Sequence, residues 1–325
     1  MKRGLEAIAR RWAVAGICAT FGVSLLTVFG AGCARPRLGP TVRVSGAWAL
    51  YPMMVRWAEE FRQTRPDVRI DVSAGGAGKG AADALAGRAD IGMVSREIHP
   101  DEIKQGAFWI PVVKDGVFAT VNAANPVVRE LAVQGVKREI LTALWIEAKA
   151  PTWGEVAGNR KIRDRVHVYT RSDSCGAAET WAKYLGKRQQ DLKGIAESGD
   201  DRLADALKRD PLGIGFNNLA YAYDAKTGKA SAGLWVVPID IDGDGKLDES
   251  EDFYRTLGEV KRAIATGAYP APLTRQNYLL TKGKPTGLAR EFISWILHDG
   301  QGFVEQSGYI ALPRERLEAA IERLE

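Results

Sequence analysis

Apolar and polar positions alternate along the chain with two periods, which predict strands and helices in turn. Residues 41–45 and 68–73 alternate in the manner of short strands. Between them, four apolar residues recur at spacings of four, three and four, which places them on one face of a helix: Leu50, Met54, Trp57 and Phe61. The chain after residue 40 is therefore predicted to begin with a strand, a helix and a second strand.

The same order continues through the rest of the chain. Further strands are predicted at 89–94, 109–122, 166–170, 212–217 and 234–239. Helices are predicted after the glycine-rich segment 75–80, at 137–146, 177–185 and 201–208, and near the C-terminus, where Leu288, Phe292 and Trp295 share one face and Leu317, Ile321 and Leu324 another. Strands that alternate with helices indicate an α/β fold with mostly parallel sheets covered by helices.

The length of this α/β pattern suits two lobes of ordinary domain size. We expect lobe one to contain residues 41–116 plus 234–325, and lobe two to contain residues 117–233. Each lobe would hold a mostly parallel sheet flanked by helices, with a cleft between the lobes.

Residues 1–32 have the pattern of a secretory signal peptide. Four basic residues precede an apolar run from Trp12 to Ala31, and Cys33 follows in a setting that resembles a bacterial lipobox. Lipidation of Cys33 would anchor the protein at the periplasmic or extracellular face of the cell membrane, with 33–40 as a tether. An uncleaved membrane anchor and ordinary cleavage near Ala31 are the alternatives.

Removal of this segment changes the interpretation of the charge. The formal charge falls from +5 to +2, because residues 1–32 carry four basic residues and one acid. A nearly neutral body without a dense Lys/Arg stripe does not fit nucleic-acid binding. Of the three cysteines, Cys175 alone remains beyond the signal and the lipidation position, so an intramolecular disulfide is not expected.

Three glycine- or serine-containing loops each follow a predicted strand and lead into a helix. They are Ser45–Trp48, Gly75–Gly80 and Arg171–Gly176. Helix N-termini carry unpaired N–H groups and a partial positive charge, so such loops bind anions. A single loop of this kind is usually only a tight turn. Three of them in a two-lobed chain favour an anion site in the cleft.

These loops, together with three further segments, carry a family resemblance. The segments are 45–52, 75–80, 89–96, 115–126, 171–179 and 212–216. In this order they resemble the phosphate-binding proteins of ABC importers, within the periplasmic binding protein superfamily. The resemblance covers nearly the whole chain after the signal. It implies a type II periplasmic binding protein fold, a small inorganic anion such as phosphate as ligand, a membrane permease as partner, and a monomer.

The resemblance also implies the residues that bind the ligand. Arg171 would supply a guanidinium to the oxyanion, Asp173 would orient it, and Gly176 would offer a backbone N–H. The full set of implied positions is Ala47, Trp48, Ala49, Gly78, Lys79, Ser95, Arg96, Asp115, Arg171, Asp173, Ser174, Cys175 and Gly176.

The chain departs from the family pattern at residues that bear on the ligand. Ala47 and Trp48 stand where hydroxyl residues are common, and Cys175 and Ala177 replace a serine and a threonine. Fewer hydroxyl donors would mean fewer hydrogen bonds to an oxyanion. Cys175 at a helix start, eight residues after His167, also leaves open a secreted thiol-dependent enzyme on the same lobes.

Residues 240–251 match every requirement of an EF-hand calcium loop. Acidic residues stand at positions 1, 3, 5, 9 and 12, and glycine stands at position 6. The predicted calcium ligands are Asp240, Asp242, Asp244, Lys246 through its carbonyl, Asp248 and Glu251. The preceding segment is predicted to be a strand, which favours a structural site in lobe one over a sensor. A solvated acidic turn without metal is the alternative.

The function that these features favour is capture of an oxyanion for import. The resemblance makes the chain a binding protein and not an enzyme. A secreted thiol- or calcium-dependent enzyme and a sensory lipoprotein that does not transport are the alternatives. The sequence has no Gly-x-Ser-x-Gly nucleophile motif, which weighs against the first of these.

Overall fold

The computed structural model describes residues 39–149 and 151–325. The predicted signal peptide, Cys33 and most of the tether lie outside the described residues. Within the described part of the chain, no helix combines the length and apolar character needed to cross a membrane.

The described residues form an α/β fold with eleven strands and twelve α-helices. The strands are β1 Thr41–Gly46, β2 Arg69–Ala74, β3 Ile91–Val94, β4 Ala107–Asn122, β5 Val136–Lys137, β6 His167–Arg171, β7 Ile195–Glu197, β8 Gly213–Asn218, β9 Leu234–Val236, β10 Ile239–Asp240 and β11 Thr274–Lys282. The helices are α1 Tyr51–Thr64, α2 Ala77–Leu85, α3 Pro100–Lys104, α4 Val128–Gln134, α5 Arg138–Trp145, α6 Trp153–Val156, α7 Gly176–Tyr184, α8 Asp200–Arg209, α9 Leu219–Ala222, α10 Leu257–Thr266, α11 Gly287–Leu297 and α12 Arg314–Leu324.

The buried apolar residues divide into two main cores, one for each lobe. The core of lobe one is built around Trp57, Phe61 and Phe292. The core of lobe two is built around Trp145 and Trp181. The four apolar residues that predict the first helix are all buried on α1 or just before it, at Leu50, Met54, Trp57 and Phe61. The two-lobed α/β fold is thus confirmed.

Two long strands connect the lobes. The 16 residues of β4 pair with β11 over their first part and with β8 and β9 over their second part. Both strands run antiparallel to their neighbours, whereas β1, β2 and β3 pair in parallel, as do β6, β7 and β8. One curved sheet therefore passes through both lobes, and the chain crosses between them near Asp115 on β4 and Arg275 on β11.

The return to lobe one differs from the predicted boundary at residue 234. Strand β9 pairs with the second part of β4, and β10 pairs with β5. Helix α10 contributes Val260 and Ile264 to the core of lobe two. The chain therefore re-enters lobe one at β11, about forty residues later, and the acidic loop 240–251 lies in lobe two. The physical reason is the length of β4. Its second part pairs with β9 in lobe two, and the apolar pattern of the sequence does not predict this pairing.

Candidate functional site

The N-termini of α2 and α7 meet where the lobes touch. Both helices follow a strand and a loop with glycine, and α2 comes from lobe one while α7 comes from lobe two. The backbone N–H of Gly78 donates to the carbonyl oxygen of Ser174 across the cleft at 3.2 Å. The lobes are therefore in contact at the predicted anion loops.

Arg171, at the end of β6, is the buried cation of this region. Its side chain is fully enclosed, and Nε and Nη2 donate to Asp173 at 2.8 and 2.7 Å. Nη1 lies 2.7 Å from Oδ2 of Asp200, at the start of α8. Burial alone would lower the pKa of Arg171, but the charge of Asp200 and the pair with Asp173 raise it. The guanidinium is therefore always charged.

The Nη1 group of Arg171 has an unusual position. It is close to Asp200, yet it makes no hydrogen bond within the part of the chain that the structure describes. The charge of Nη1 is compensated by this carboxylate at ion-pair distance, and what Nη1 lacks is an acceptor in line with its N–H bonds. An oxyanion oxygen placed there would be such an acceptor.

Cys175 caps the N-terminus of α7. Its Sγ accepts a hydrogen bond from the backbone N–H of Ala178 at 3.5 Å, and the side chain is buried. Burial raises the pKa of the thiol to about 12, against the opposing charge of Arg171. The side chain is therefore a neutral thiol at physiological pH and not the reactive thiolate that a thiol-dependent enzyme requires.

His167 makes no hydrogen bond or ion pair with Cys175 among the described residues. It stands at the first residue of β6 and Arg171 at the last, so a rise of about 3.3 Å per residue separates them by roughly 13 Å along the strand. The Nδ1 atom of His167 pairs with Asp210 at 2.8 Å. The geometry gives no support to a Cys/His catalytic pair.

The remaining cations of the predicted site are paired with carboxylates. Arg96 is buried and makes two hydrogen bonds to Glu102, at 2.9 and 2.6 Å. Lys79 is half exposed, bonds to Ser45 at 2.9 Å and pairs with Asp83. Glu102 and Asp83 belong to lobe one, as do the two cations they bind. Among the described residues, neither Arg96 nor Lys79 shares a carboxylate partner with Arg171.

The other residues of the predicted site differ in their burial and in their hydrogen bonds. The N–H of Ala47 donates to the carbonyl of Met93 at 2.9 Å, so it is not free for a ligand. Ala49 is buried and Trp48 is partly exposed in the turn before α1. Ser95 is buried and lies directly against Gly176. Ser174 is exposed.

Contacts between polar side chains of the two lobes close the cleft beside these loops. Glu179 on α7 lies 3.4 Å from Arg96 and 3.5 Å from His99, both in lobe one. Lys183, one turn later on the same helix, pairs with Glu97 at 3.0 Å. These contacts, with Gly78 and Ser174, indicate a closed arrangement of the lobes.

Asp115 lies at the crossover and not at the anion loops. It is fully buried, pairs with Arg275 at 3.0 Å and accepts a hydrogen bond from the backbone N–H of Leu219 at 3.3 Å. Burial raises the pKa of Asp115, although the charge of Arg275 opposes this change.

The sequence did not predict the role of Asp200. It follows Gly199 at the start of α8, where an acidic residue is ordinary because of the helix dipole. Its contact with Arg171 depends on the tertiary fold, so no local signal distinguishes it from Asp201. Arg275 and Asn218 were missed for the same reason.

The acidic loop 240–251 is folded as a compact turn. Carboxylate oxygens of Asp240, Asp242 and Asp244 all lie within 4.8 Å of one another. Asp240 is buried and accepts the backbone N–H groups of Gly243 at 2.7 Å and Gly245 at 2.9 Å. Glu251 is also buried and accepts the N–H groups of Ile241 and Asp242.

Comparisons with known proteins agree with this fold. The family model for the PBP superfamily domain matches residues 33–299. The phosphate-binding protein PstS of Bacillus subtilis (strain 168) is 26% identical, over 91% of this chain and 89% of that protein. Protein SphX of Synechococcus elongatus is 25% identical, over 87% of this chain and 80% of that protein.

Solved structures show the same fold at lower identity. A putative phosphate ABC transporter substrate-binding protein from Clostridium perfringens, solved with bound phosphate, has a TM-score of 0.67 and 20% identity, covering 84% of this chain and 100% of that one. An ABC-type phosphate transport receptor from Vibrio cholerae has a TM-score of 0.59 and 20% identity, with the same coverage. The family match over most of the chain, the two lobes and the loops that meet between them lead to one conclusion: the chain belongs to the PBP superfamily.

Proposed function

We propose that this protein is the substrate-binding component of an ABC importer, and that it captures phosphate or a related oxyanion between its lobes for delivery to a membrane permease. The observation that carries the proposal is the buried guanidinium of Arg171, whose Nη1 group makes no hydrogen bond in the described part of the chain. Relatives named as phosphate-binding proteins, similar over nearly the whole chain, support phosphate as the first ligand to test.

The anion would be held by one cation and by backbone groups. Arg171 offers a planar donor, and the N-terminus of α7 offers a partial positive charge. Asp173 and Asp200 fix the guanidinium, so that little conformational entropy is lost on binding. Hydroxyl donors common in the family are absent at four positions, where Ala47, Trp48, Cys175 and Ala177 stand in their place. Arsenate, sulfate, molybdate and tungstate therefore belong in the same test as phosphate.

The test is calorimetric titration of the purified protein with each of these anions. We expect one-to-one binding of phosphate, and Arg171→Ala should weaken it at least tenfold, a loss of about 1.4 kcal/mol or more. Arg160→Ala, which removes an exposed arginine of the same lobe, is the matched control. Absence of heat with every anion, or parental affinity in Arg171→Ala, would contradict the proposal.

Export and lipidation complete this proposal. Cleavage before Cys33 and acylation of its thiol would keep the binding protein beside its permease, on the periplasmic or extracellular face of the membrane. Mass spectrometry of the N-terminal peptide from membrane fractions should detect the acylated cysteine. Cys33→Ala should remove the acyl mass; a parent protein without that modification would refute the anchor.

We also propose that residues 240–251 bind calcium. The carboxylates of Asp240, Asp242 and Asp244 converge, and hard carboxylate oxygens suit Ca²⁺. Lys246 through its carbonyl, Asp248 and Glu251 would supply the remaining oxygens. The loop joins β10, which pairs with β5, to the segment before α10 in lobe two. A bound ion would therefore stabilise this part of lobe two.

Thermal unfolding with and without calcium tests the metal site. We expect millimolar calcium to raise the melting temperature of the parent and to leave that of Glu251→Gln unchanged, since position 12 supplies the bidentate ligand. Glu249→Gln, an exposed acid of the same loop outside the ligand set, should respond like the parent. Equal responses of the parent and Glu251→Gln would refute the assignment.

A further inference from the structure

A continuous network of buried polar side chains runs from Arg171 to the strands that connect the lobes. Asp200, beside Arg171, accepts a hydrogen bond from the amide nitrogen of Asn218 at 2.5 Å. The amide oxygen of Asn218 accepts from Nη2 of Arg275. The same nitrogen of Arg275 lies 3.0 Å from Oδ2 of Asp115. Each of these residues is buried.

The last pair of this network lies at the crossover between the lobes. Asp115 and Arg275 face each other in register on β4 and β11, at the point where both strands pass between the lobes. The apolar residues on either side belong to different cores: Val113 and Leu279 to lobe one, and Val117 and Leu273 to lobe two. A change of angle between the lobes must therefore occur at or beside this pair.

Arg275 also contacts the helix that begins at the anion loop. Its Nη1 donates to Oγ1 of Thr180, one turn after Gly176 on α7, at 3.1 Å. The guanidinium of Arg275, a residue of β11, is thus bound to β4 through Asp115, to the end of β8 through Asn218, and to α7 through Thr180. Its Nε group makes no hydrogen bond in the described chain, so the position of Arg275 is fixed by its two terminal nitrogens.

Asn218 couples its two charged neighbours, because its side-chain amide can hydrogen-bond to both of them in only one orientation. The nitrogen must face the carboxylate of Asp200 and the oxygen must face the guanidinium of Arg275. Rotation of the amide would place donor against donor and acceptor against acceptor in a buried site, where unsatisfied groups cost the most. Movement of either charged neighbour therefore acts on the other.

We propose that Arg275 is a positioning residue for the anion site, and that it acts on Arg171 through Asn218 and Asp200 to couple ligand binding to the angle between the lobes. The part that concerns the ligand depends on the proposed function. The part that concerns the orientation of Arg171 does not, so the two can be tested apart.

The first experiment needs no ligand. In protein labelled with ¹⁵N-arginine, the side-chain Nε–H signal of Arg171 is assigned with Arg171→Lys. We expect this signal to shift in Arg275→Gln and in Asn218→Leu, and to stay in place in Lys282→Gln, which changes an exposed residue at the far end of β11. An unchanged Arg171 signal in both network variants would overturn the proposal, whether or not phosphate binds. Arg275→Lys, which keeps the charge beside Asp115, serves if Arg275→Gln does not fold.

The second experiment is a double-mutant cycle read by phosphate affinity. We expect Arg275→Gln and Asn218→Leu each to weaken binding about tenfold, and the double variant to weaken it about tenfold and not a hundredfold, because both changes break one path. Independent structural damage would multiply the two losses. A hundredfold loss in the double variant, or parental affinity in Arg275→Gln, would overturn the coupling. Failure of the parent to bind phosphate or any of the other tested anions would overturn the proposed function and the coupling to ligand, and would leave the NMR result on Arg171 standing.

Discussion

The Cα atom of Gly176 in lobe two lies directly against Ser95 in lobe one. A Cβ atom at residue 176 would stand 2.0 Å from the carbonyl oxygen of Ser95 and 2.5 Å from its hydroxyl oxygen. Both distances are far inside any permitted contact. The φ angle of Gly176 is not in the left-handed region, so the requirement for glycine comes from the contact between the lobes alone.

Gly176→Ala therefore tests the closed arrangement. We expect phosphate affinity to fall at least tenfold, because the added methyl group prevents the loops from meeting. The melting temperature of the ligand-free protein should change little, since the clash disappears when the lobes separate. Calorimetry measures the phosphate affinity and thermal unfolding measures the melting temperature.

Gly302→Ala, where a Cβ would meet no atom within 4 Å, is the control for Gly176→Ala. Parental affinity in Gly176→Ala would show that the lobes need not close on this contact.

Local patterns were sufficient to predict most of the elements and the loops of the site. The predicted strand 166–170 and helix 177–185 match β6 and α7 to within one residue at each end. Arg171, the last residue of β6, and Asp173, in the loop that follows, are residues that the family resemblance indicates. Helical periodicity, glycine before a helix and a basic residue at a strand end are all local signals.

The partners of these residues could not be predicted in the same way. The contact of Arg171 with Asp200 joins residues on β6 and α8, and the pair of Asp115 with Arg275 joins residues 160 positions apart. The sequence does not predict strand β11, because polar residues occupy several of its buried positions. Its apolar residues therefore do not alternate in the manner of a strand. Without β11, the apolar pattern predicts the return of the chain to lobe one at β9 and the acidic loop in lobe one, whereas the structure has this loop in lobe two.

Glu179 offers a second test of closure. It is the lobe-two partner of both Arg96 and His99, at 3.4 and 3.5 Å. We expect Glu179→Gln to weaken phosphate binding by about two- to fivefold, since partly exposed ion pairs contribute about 0.2–1 kcal/mol. The loss should appear as faster dissociation in stopped-flow measurements, because only the closed state contains these contacts. Glu318→Gln removes an ion pair on the exposed face of α12 and should leave dissociation unchanged. An unaltered dissociation rate in Glu179→Gln would exclude a role for this residue in closure.

The buried thiol of Cys175 predicts a specific dependence of stability on pH. Burial raises its pKa from 9.0 to about 12. Above pH 9 the unfolded chain loses the thiol proton while the folded protein keeps it, so the free energy of unfolding falls as pH rises. At pH 10 this loss amounts to roughly 1 kcal/mol. Urea unfolding at pH 8 and pH 10 should therefore show a larger decrease for the parent than for Cys175→Ser. Equal decreases would mean that the thiol ionises normally in the folded protein.

Two buried tryptophans test the contribution of a single hydrogen bond to the cores. Trp57 and Trp181 are both fully buried, in the cores of lobe one and lobe two. The indole N–H of Trp57 donates to the carbonyl oxygen of Gly300 at 2.7 Å, whereas that of Trp181 has no partner in the described residues.

Replacement of either tryptophan by phenylalanine removes a similar volume at both sites. At residue 57 it also leaves a buried carbonyl without its donor, whereas at residue 181 it removes an unsatisfied N–H. We therefore expect Trp57→Phe to be the more destabilising change by about 1–3 kcal/mol, measured by urea unfolding followed by circular dichroism. The opposite order would mean that the hydrogen bond to Gly300 contributes less than the packing of Trp181 against Trp145 and Phe216.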